Sequence, residues 1–148
     1  MITGAVFFIF SVICCTGVKK GVLEIRDQVS GKVYGKWLLD EGGEFAIEFI
    51  HSVNQSPVRE TFFVEEKKIR LKSVRFYSFG AGMKSDLEEG ETMIREGDAM
   101  VITGFKTSFN DLNYIIGTVS DHILYINNET ISLRKICGRN AHINIRII

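Results

Sequence analysis

The sequence predicts a single all-β domain, an antiparallel β-sandwich or small barrel, preceded by an N-terminal hydrophobic segment. Short stretches of alternating apolar and polar residues recur at spacings of about 8 to 12 residues. The breaks between them are rich in Gly, Asn and Asp, and no long stretch has helical periodicity. A chain of 148 residues is long enough to enclose one hydrophobic core, so one domain is expected.

Residues 1–18 form an almost unbroken apolar stretch without a charged side chain. The stretch is shorter than the roughly 20 apolar residues of a transmembrane helix and matches the apolar core of a signal peptide. Lys19 and Lys20 follow it, however, and no basic residue precedes it. We therefore predict a signal peptide or membrane anchor over residues 1–18, an all-β domain over residues 21–148, and an extracytoplasmic location, anchored or secreted.

The sequence of the first half of the domain predicts strands joined in hairpins. The parity of the apolar residues changes within the fifth stretch, which indicates a β-bulge near Lys72 and Ser73. The charged residues 65–68 form the tip between the fourth and fifth stretches. The predicted strands are Gly21–Arg26, Val33–Leu39, Glu44–Val53, Val58–Val64 and Ile69–Phe79.

The second half continues the pattern. Leu112–Val119 fits a short helix or a strand, and its periodicity does not decide between them. The last stretch alternates cleanly, with isoleucines on one side and polar residues on the other, so its isoleucine row requires a sheet to pack against. The remaining predicted strands are Met93–Arg95, Ala99–Phe105, His122–Ile126, Thr130–Arg134 and Ala141–Ile148.

Two ionisable residues lie in the apolar rows of the predicted hairpin at residues 45–64. His51 shares its parity with Phe49, and Glu60 shares its parity with Phe62. A loop over residues 54–57 would set His51 directly opposite Glu60, within hydrogen-bonding reach. The sequence therefore predicts a buried or half-buried His51–Glu60 pair.

The charges of the chain cancel, since 18 basic and 18 acidic residues give a formal net charge of +0. No overall field would attract nucleic acid or an anionic membrane surface. We predict no nucleic-acid partner.

Four sequence blocks in this order resemble a known family. They are Phe49–Val53 (FIHSV), Pro57–Glu60 (PVRE), Phe79–Met83 (FGAGM), and His122 with the apolar strand that follows it. Together they resemble the prokaryotic family known as domain of unknown function 1850, over nearly all of residues 21–148. Members of that family are small proteins with an N-terminal hydrophobic segment, often encoded beside tripartite periplasmic transporters of the TAXI type. The resemblance implies an extracytoplasmic, transporter-associated protein without an established activity.

Parity and the resemblance mark one set of candidate ligand-binding residues. Either His51 and Glu60 brace the core as a structural pair, or the set lines a cleft for a small ligand, a metal ion or a peptide segment of a partner. The spacing matches no metal motif, so no metal site is predicted. The candidates are His51, Glu60, Gly80, Gly82, Met83 and His122.

Catalysis is not predicted. Ser52 is adjacent to His51, and neighbouring residues of one strand face opposite ways, so the two cannot act as nucleophile and base. The chain has no nucleophile elbow, zinc-protease motif, phosphate loop or dinucleotide fingerprint. We predict no catalytic residue and no cofactor.

The resulting hypothesis is an accessory binding or assembly protein of a TAXI-type TRAP transporter. Its partners would be transporter subunits or the substrate-binding protein, and residues 1–18 would provide its contact with the membrane. The alternative is a free-standing periplasmic protein that binds a metal or a small ligand.

Overall fold

The computed structural model describes residues 20–53, 55–77 and 86–148. Within these ranges the chain forms two antiparallel sheets and one short helix, α1 (Leu133–Cys137). The predicted all-β class is confirmed, and of its two alternatives the open sandwich is observed. The strands are β1 (Val22–Asp27), β2 (Val33–Leu38), β3 (Glu44–Ile50), β4 (Pro57–Glu65), β5 (Lys68–Phe76), β6 (Thr92–Glu96), β7 (Ala99–Thr103), β8 (Ser108–Phe109), β9 (Asp111–Ile115), β10 (His122–Ile126), β11 (Glu129–Ser132) and β12 (His142–Ile147).

The smaller sheet has four strands in the order β2-β1-β12-β9. β1 and β12 pair so that Ile25 lies opposite Ile145, and both side chains are fully buried. Alternation directs the intervening residues to the outer face, where the Glu24 carboxylate pairs with Lys36 Nζ at 3.0 Å and with Arg146 Nη2 at 2.8 Å. The predicted isoleucine row of the last strand thus packs against the core.

The larger sheet has the order β11-β10-β3-β4-β5-β7-β6, and β8 pairs with β5. Most neighbours in this order are joined by short hairpins, as the sequence pattern predicts. The pairing of β4 with β5 passes from Thr61–Ser73 to Phe62–Leu71, so Lys72 is the extra residue of a β-bulge. The predicted bulge is confirmed.

The two sheets pack face to face around one main core. Phe45 and Phe62, neighbours on β3 and β4, stack with ring centroids 5.2 Å apart. A smaller cluster of Val58, Phe76 and Ile102 continues the apolar layer of the larger sheet. The main core is formed by Leu23, Ile25, Leu39, Phe45, Ile47, Phe62, Val64, Ile69, Leu112, Ile116, Leu124, Ile126, Leu133, Ile143 and Ile145.

The structure decides the open assignment of residues 112–119 and corrects the predicted strand at residues 130–134. The stretch Leu112–Val119 contributes a strand, β9, at one edge of the smaller sheet. The predicted strand Thr130–Arg134 is shorter than expected, because β11 ends at Ser132 and α1 begins. The Ser132 hydroxyl caps α1 by accepting from the Lys135 N–H at 3.1 Å and is itself held by the Asp121 carboxylate at 2.5 Å.

The predicted signal peptide or anchor, residues 1–18, lies outside the described residues and stays a prediction. Within the described ranges, none of the helical structure is long and apolar enough to cross a membrane.

Candidate functional site

Glu60 is an ionisable side chain in the inward-facing row of β4. On its two neighbouring strands it pairs with Ile47 and Val74, and Val58 and Phe62 flank it along its own strand. These four neighbours are apolar, and Glu60 is only partly exposed. Sequence parity correctly placed this carboxyl on the inner face.

The hydrogen-bond partner of Glu60 comes from the opposite sheet. Tyr114 on β9 donates its hydroxyl proton to Glu60 Oε2 at 2.6 Å, and the bond joins the two layers of the sandwich. Among the described residues, no Lys or Arg pairs with this carboxyl. An isolated carboxylate in an apolar setting is costly, because few polar groups replace its water.

The protonation of the pair follows from its surroundings. Burial raises the pKa of Glu60, and the hydrogen bond from Tyr114 only partly opposes the shift. Burial, together with the nearby Glu60 charge, raises the pKa of Tyr114 well above its ordinary value. Tyr114 therefore remains a proton donor over the whole physiological range, whereas Glu60 holds its proton to a higher pH than an exposed glutamate does.

Glu60 and Tyr114 border a cleft of about 410 Å³ between β4 and β5 on one side and β9 on the other. Its lining combines four apolar side chains with the inward-facing Glu60 and Tyr114 and with the exposed β9 residues Asp111 and Asn113. A volume of this size falls in the range of small-molecule sites. The lining residues are Glu60, Phe62, Leu71, Phe109, Asp111, Leu112, Asn113 and Tyr114.

His122 contacts Tyr114 and is not among the described residues that line the cleft. Its ring stacks on Phe49 at 5.1 Å and contacts the edge of the Tyr114 ring at 5.9 Å. The Gly117 N–H donates to His122 Nδ1 at 3.4 Å, which places the proton of the neutral imidazole on Nε2. Burial lowers the pKa of His122, so the ring is a neutral aromatic neighbour of the Glu60–Tyr114 pair.

His51 is not opposite Glu60, and this part of the sequence prediction is wrong. β3 ends at Ile50, and the His51 N–H donates to the Ser56 carbonyl at 2.9 Å. Pro57, which the predicted loop includes, is the first residue of β4, a position where its missing N–H is tolerated. The turn therefore lies earlier in the chain than predicted, and Glu60 pairs with Ile47 instead.

His51 occupies the turn between β3 and β4, and its own ring is engaged locally. The Val53 N–H donates to His51 Nδ1 at 3.3 Å. Ser52 is exposed in the same turn. This arrangement gives His51 a role in shaping the turn.

The candidate residues Gly80, Gly82 and Met83 lie outside the described residues, so their assignment stays a prediction. In the part of the chain that the structure describes, no group of three or more His, Cys, Asp or Glu side chains is arranged to hold a metal ion. Of the predicted set, the structure brings Glu60 and His122 to a common neighbour, Tyr114.

Tyr114 is the candidate-site residue that sequence reasoning missed. It lies in the stretch whose periodicity does not decide between helix and strand. The available signal is that Tyr114 has the same parity as the apolar residues Leu112 and Ile116. If the stretch had been assigned as a strand, its tyrosine would have joined the inward-facing residues. Its pairing with Glu60 could not be inferred, because it joins strands of different sheets.

Comparison with known proteins gives one family match. The family described as "Domain of unknown function (DUF1850)" matches residues 45–133, more than half of the chain. The matched range contains Glu60, Tyr114 and His122. No curated protein and no solved structure matches the chain. The match over this range, in agreement with the resemblance of the sequence blocks, shows that the chain belongs to the family of domain of unknown function 1850.

Proposed function

We propose that this protein is an extracytoplasmic accessory binding module of a TAXI-type TRAP transporter and that it binds through the cleft beside Glu60. The observation that carries the binding role is the Glu60 carboxyl, which lies among apolar neighbours, has no paired cation among the described residues and borders an open cleft. Such a group costs folding stability unless something compensates for its lost water. A bound ligand that donates to the carboxyl would offset this cost.

The transporter part of the proposal draws on other support. The chain resembles a family whose members are often encoded beside such transporters, and its apolar residues 1–18 have the composition of an export signal or anchor. Both features favour a protein that works outside the cytoplasm next to a membrane complex.

The described side chains favour binding over covalent catalysis. Burial raises the pKa of Cys137 to about 12, so its thiol is protonated and a poor nucleophile at neutral pH. Ser52 is exposed in a turn, and the Nδ1 atom of its neighbour His51 accepts a hydrogen bond from the Val53 N–H, so this nitrogen is not directed to the Ser52 hydroxyl as a base.

Co-purification tests the proposal. The full-length protein, tagged at its C-terminus, is isolated from native membranes under mild detergent, and the associated proteins are identified by mass spectrometry. We expect the membrane subunits or the substrate-binding protein of a TRAP transporter. Reproducible absence of every transporter subunit would contradict the transporter role.

A second candidate function is a free-standing small-ligand-binding protein. The cleft volume of about 410 Å³ supports it, because this is sufficient for a small molecule without any partner protein. Thermal-shift screening in the absence of transporter subunits separates the two candidates. Ligand stabilisation together with failure to co-purify with a transporter would favour the free-standing protein.

A further inference from the structure

We infer that the cleft between β4, β5 and β9 takes a small organic amine, with its ammonium group beside Glu60 and its apolar body against Phe62, Leu71 and Phe109. The inference rests on the proposed binding role and names the ligand class. It is independent of whether the partner is a transporter.

The charge of the lining selects the ligand. The described lining contains the carboxyl group of Glu60 on the inner face and no Lys, Arg or His. The side chain of Asp111 alternates with the inward-facing Leu112 and Tyr114 and lies in the outer row with Arg146, whose guanidinium is directed to Glu24 at 2.8 Å. The cleft therefore presents one carboxyl that no described lining cation neutralises, and when ionised it would repel a carboxylate or phosphate.

The remaining walls suit the body of such a ligand. Phe62, Leu71, Phe109 and Leu112 offer apolar surface, and the space of about 410 Å³ holds a ligand with one ring and a short chain. The rings of Phe62, Phe109 and Tyr114 also line the same cleft, and aromatic faces attract organic cations.

The hydrogen bonds around Glu60 leave room for a donor. Tyr114 occupies Oε2 at 2.6 Å, and among the described residues Oε1 accepts no hydrogen bond. An ammonium group can donate to this free oxygen and supply the missing positive charge in one contact. Tyr114 would then hold the carboxylate in place, because its own proton is retained.

Binding should be linked to a proton. Burial raises the pKa of Glu60, and a cation beside the carboxyl would lower it again, so that the ligand displaces the proton that Glu60 carries at acidic pH. The other titratable groups around the site are Tyr114, Asp111 and His122. Tyr114 stays protonated because its pKa is raised. Asp111 lies in the outer row of β9, and His122 contacts the Tyr114 ring but is not among the described residues that line the cleft. Affinity for an amine should consequently weaken as the pH falls through the pKa of Glu60.

Three probes with the same phenyl ring and two-carbon chain test the ligand class by isothermal titration calorimetry on the full-length protein in detergent. They are phenethylammonium, phenethyl alcohol and hydrocinnamate. We expect phenethylammonium to bind most tightly and hydrocinnamate most weakly. Equal affinities, tightest binding of hydrocinnamate, or no binding of any probe would overturn the inference.

Variants locate the binding. Glu60→Gln keeps the shape of the side chain and an acceptor for Tyr114, so we expect it to weaken phenethylammonium binding by about 10- to 100-fold, as loss of a charged hydrogen bond does. Its affinity for phenethyl alcohol should not change. The matched control is Glu89→Gln, an exposed glutamate away from the cleft lining, which should bind all probes like the wild type. Unchanged amine binding by Glu60→Gln would overturn the assignment.

A measurement on the wild type alone covers the case in which Glu60→Gln fails to fold. At about pH 4.5, the ordinary pKa of a glutamate, Glu60 is mostly protonated because its pKa is raised. Phenethylammonium binding should then release up to one proton, seen as a binding enthalpy that depends on the ionisation enthalpy of the buffer. A buffer-independent enthalpy would contradict the inference. Co-purification of transporter subunits would still support the proposed function in that case, so the two failures are distinguishable.

Discussion

Replacing Tyr114 with Phe removes one hydroxyl group and the hydrogen bond that joins the two sheets at Glu60. The bond is 2.6 Å long and is the one hydrogen bond that the described residues make to this carboxyl. Its loss leaves the carboxyl partly buried without a donor. The protein then loses the net stabilisation of the bond, and part of the desolvation penalty of the carboxyl is no longer compensated. We expect Tyr114→Phe to lower the free energy of unfolding by about 1 to 2 kcal/mol.

Urea unfolding of the full-length protein measures this effect. The single tryptophan, Trp37, packs against the main core, and its fluorescence reports the loss of packing. The same substitution in a Glu60→Met background is the matched control, since the carboxyl that needs the hydroxyl is then absent. In that background Tyr114→Phe should leave the free energy of unfolding almost unchanged. The difference between its effects in the two backgrounds gives the coupling energy of the pair.

A coupling energy of zero would refute the argument. It would mean that Tyr114 and Glu60 do not interact and that the two sheets are not joined at this point. The cleft and the inferred amine site would then lose the residue that positions their carboxyl.

Three further predictions follow from the same structure, each measured by urea unfolding. Ionisation of Glu60 above its raised pKa is unfavourable in the folded protein, so the wild type should lose stability relative to Glu60→Gln as the pH rises from 4.5 through that pKa; parallel pH profiles would contradict this. Pairing with Lys36 lowers the pKa of Glu24, burial opposes this shift, and Arg146 adds to it. Glu24→Gln should therefore lower the free energy of unfolding by about 1 to 3 kcal/mol at neutral pH, and this difference should vanish as the pH falls through the lowered pKa. Ile145→Ala opens a cavity at a fully buried position and should cost about 2 to 5 kcal/mol, whereas Ile94→Ala on exposed β6 should cost well under about 1 kcal/mol, and equal losses would contradict the assignment of the core.

Much of the fold could be predicted because strand alternation is a local property. The parity of apolar residues placed Glu60 on the inner face of β4 and the isoleucines of β12 against the core. The change of parity in the fifth stretch located the bulge at Lys72. Each of these predictions depends only on the order of apolar and polar residues within one strand.

The register of the hairpin between β3 and β4 could not be predicted reliably, because it depends on where the turn begins. Asn, Ser and Pro all favour turns, and the predicted loop over residues 54–57 ends at the proline. In the structure, Pro57 starts β4 and pairs with Ile50, which moves His51 into the turn. A small displacement of the loop thus changed the residue opposite Glu60 from His51 to Ile47.

The hydroxyl partner of Glu60 is a product of tertiary packing. Tyr114 lies far along the chain, on the edge strand of the other sheet, and no local pattern relates the two positions. Phe109, in the two-residue strand β8, reaches the same cleft for the same reason. Sequence reasoning therefore identified the carboxyl of the candidate site, and the structure shows the hydroxyl that donates to it and the residues that line the cleft beside it.

The protonation of Glu60 is the most direct test of the account, because both the fold and the inferred ligand act on this one group. Carbon NMR of the side-chain carboxyl, followed as a function of pH in the full-length protein, measures its pKa with and without phenethylammonium. We expect the pKa of Glu60 to lie above 4.5 in the free protein and to fall when the amine binds. A pKa at or below 4.5 that the amine does not change would contradict it.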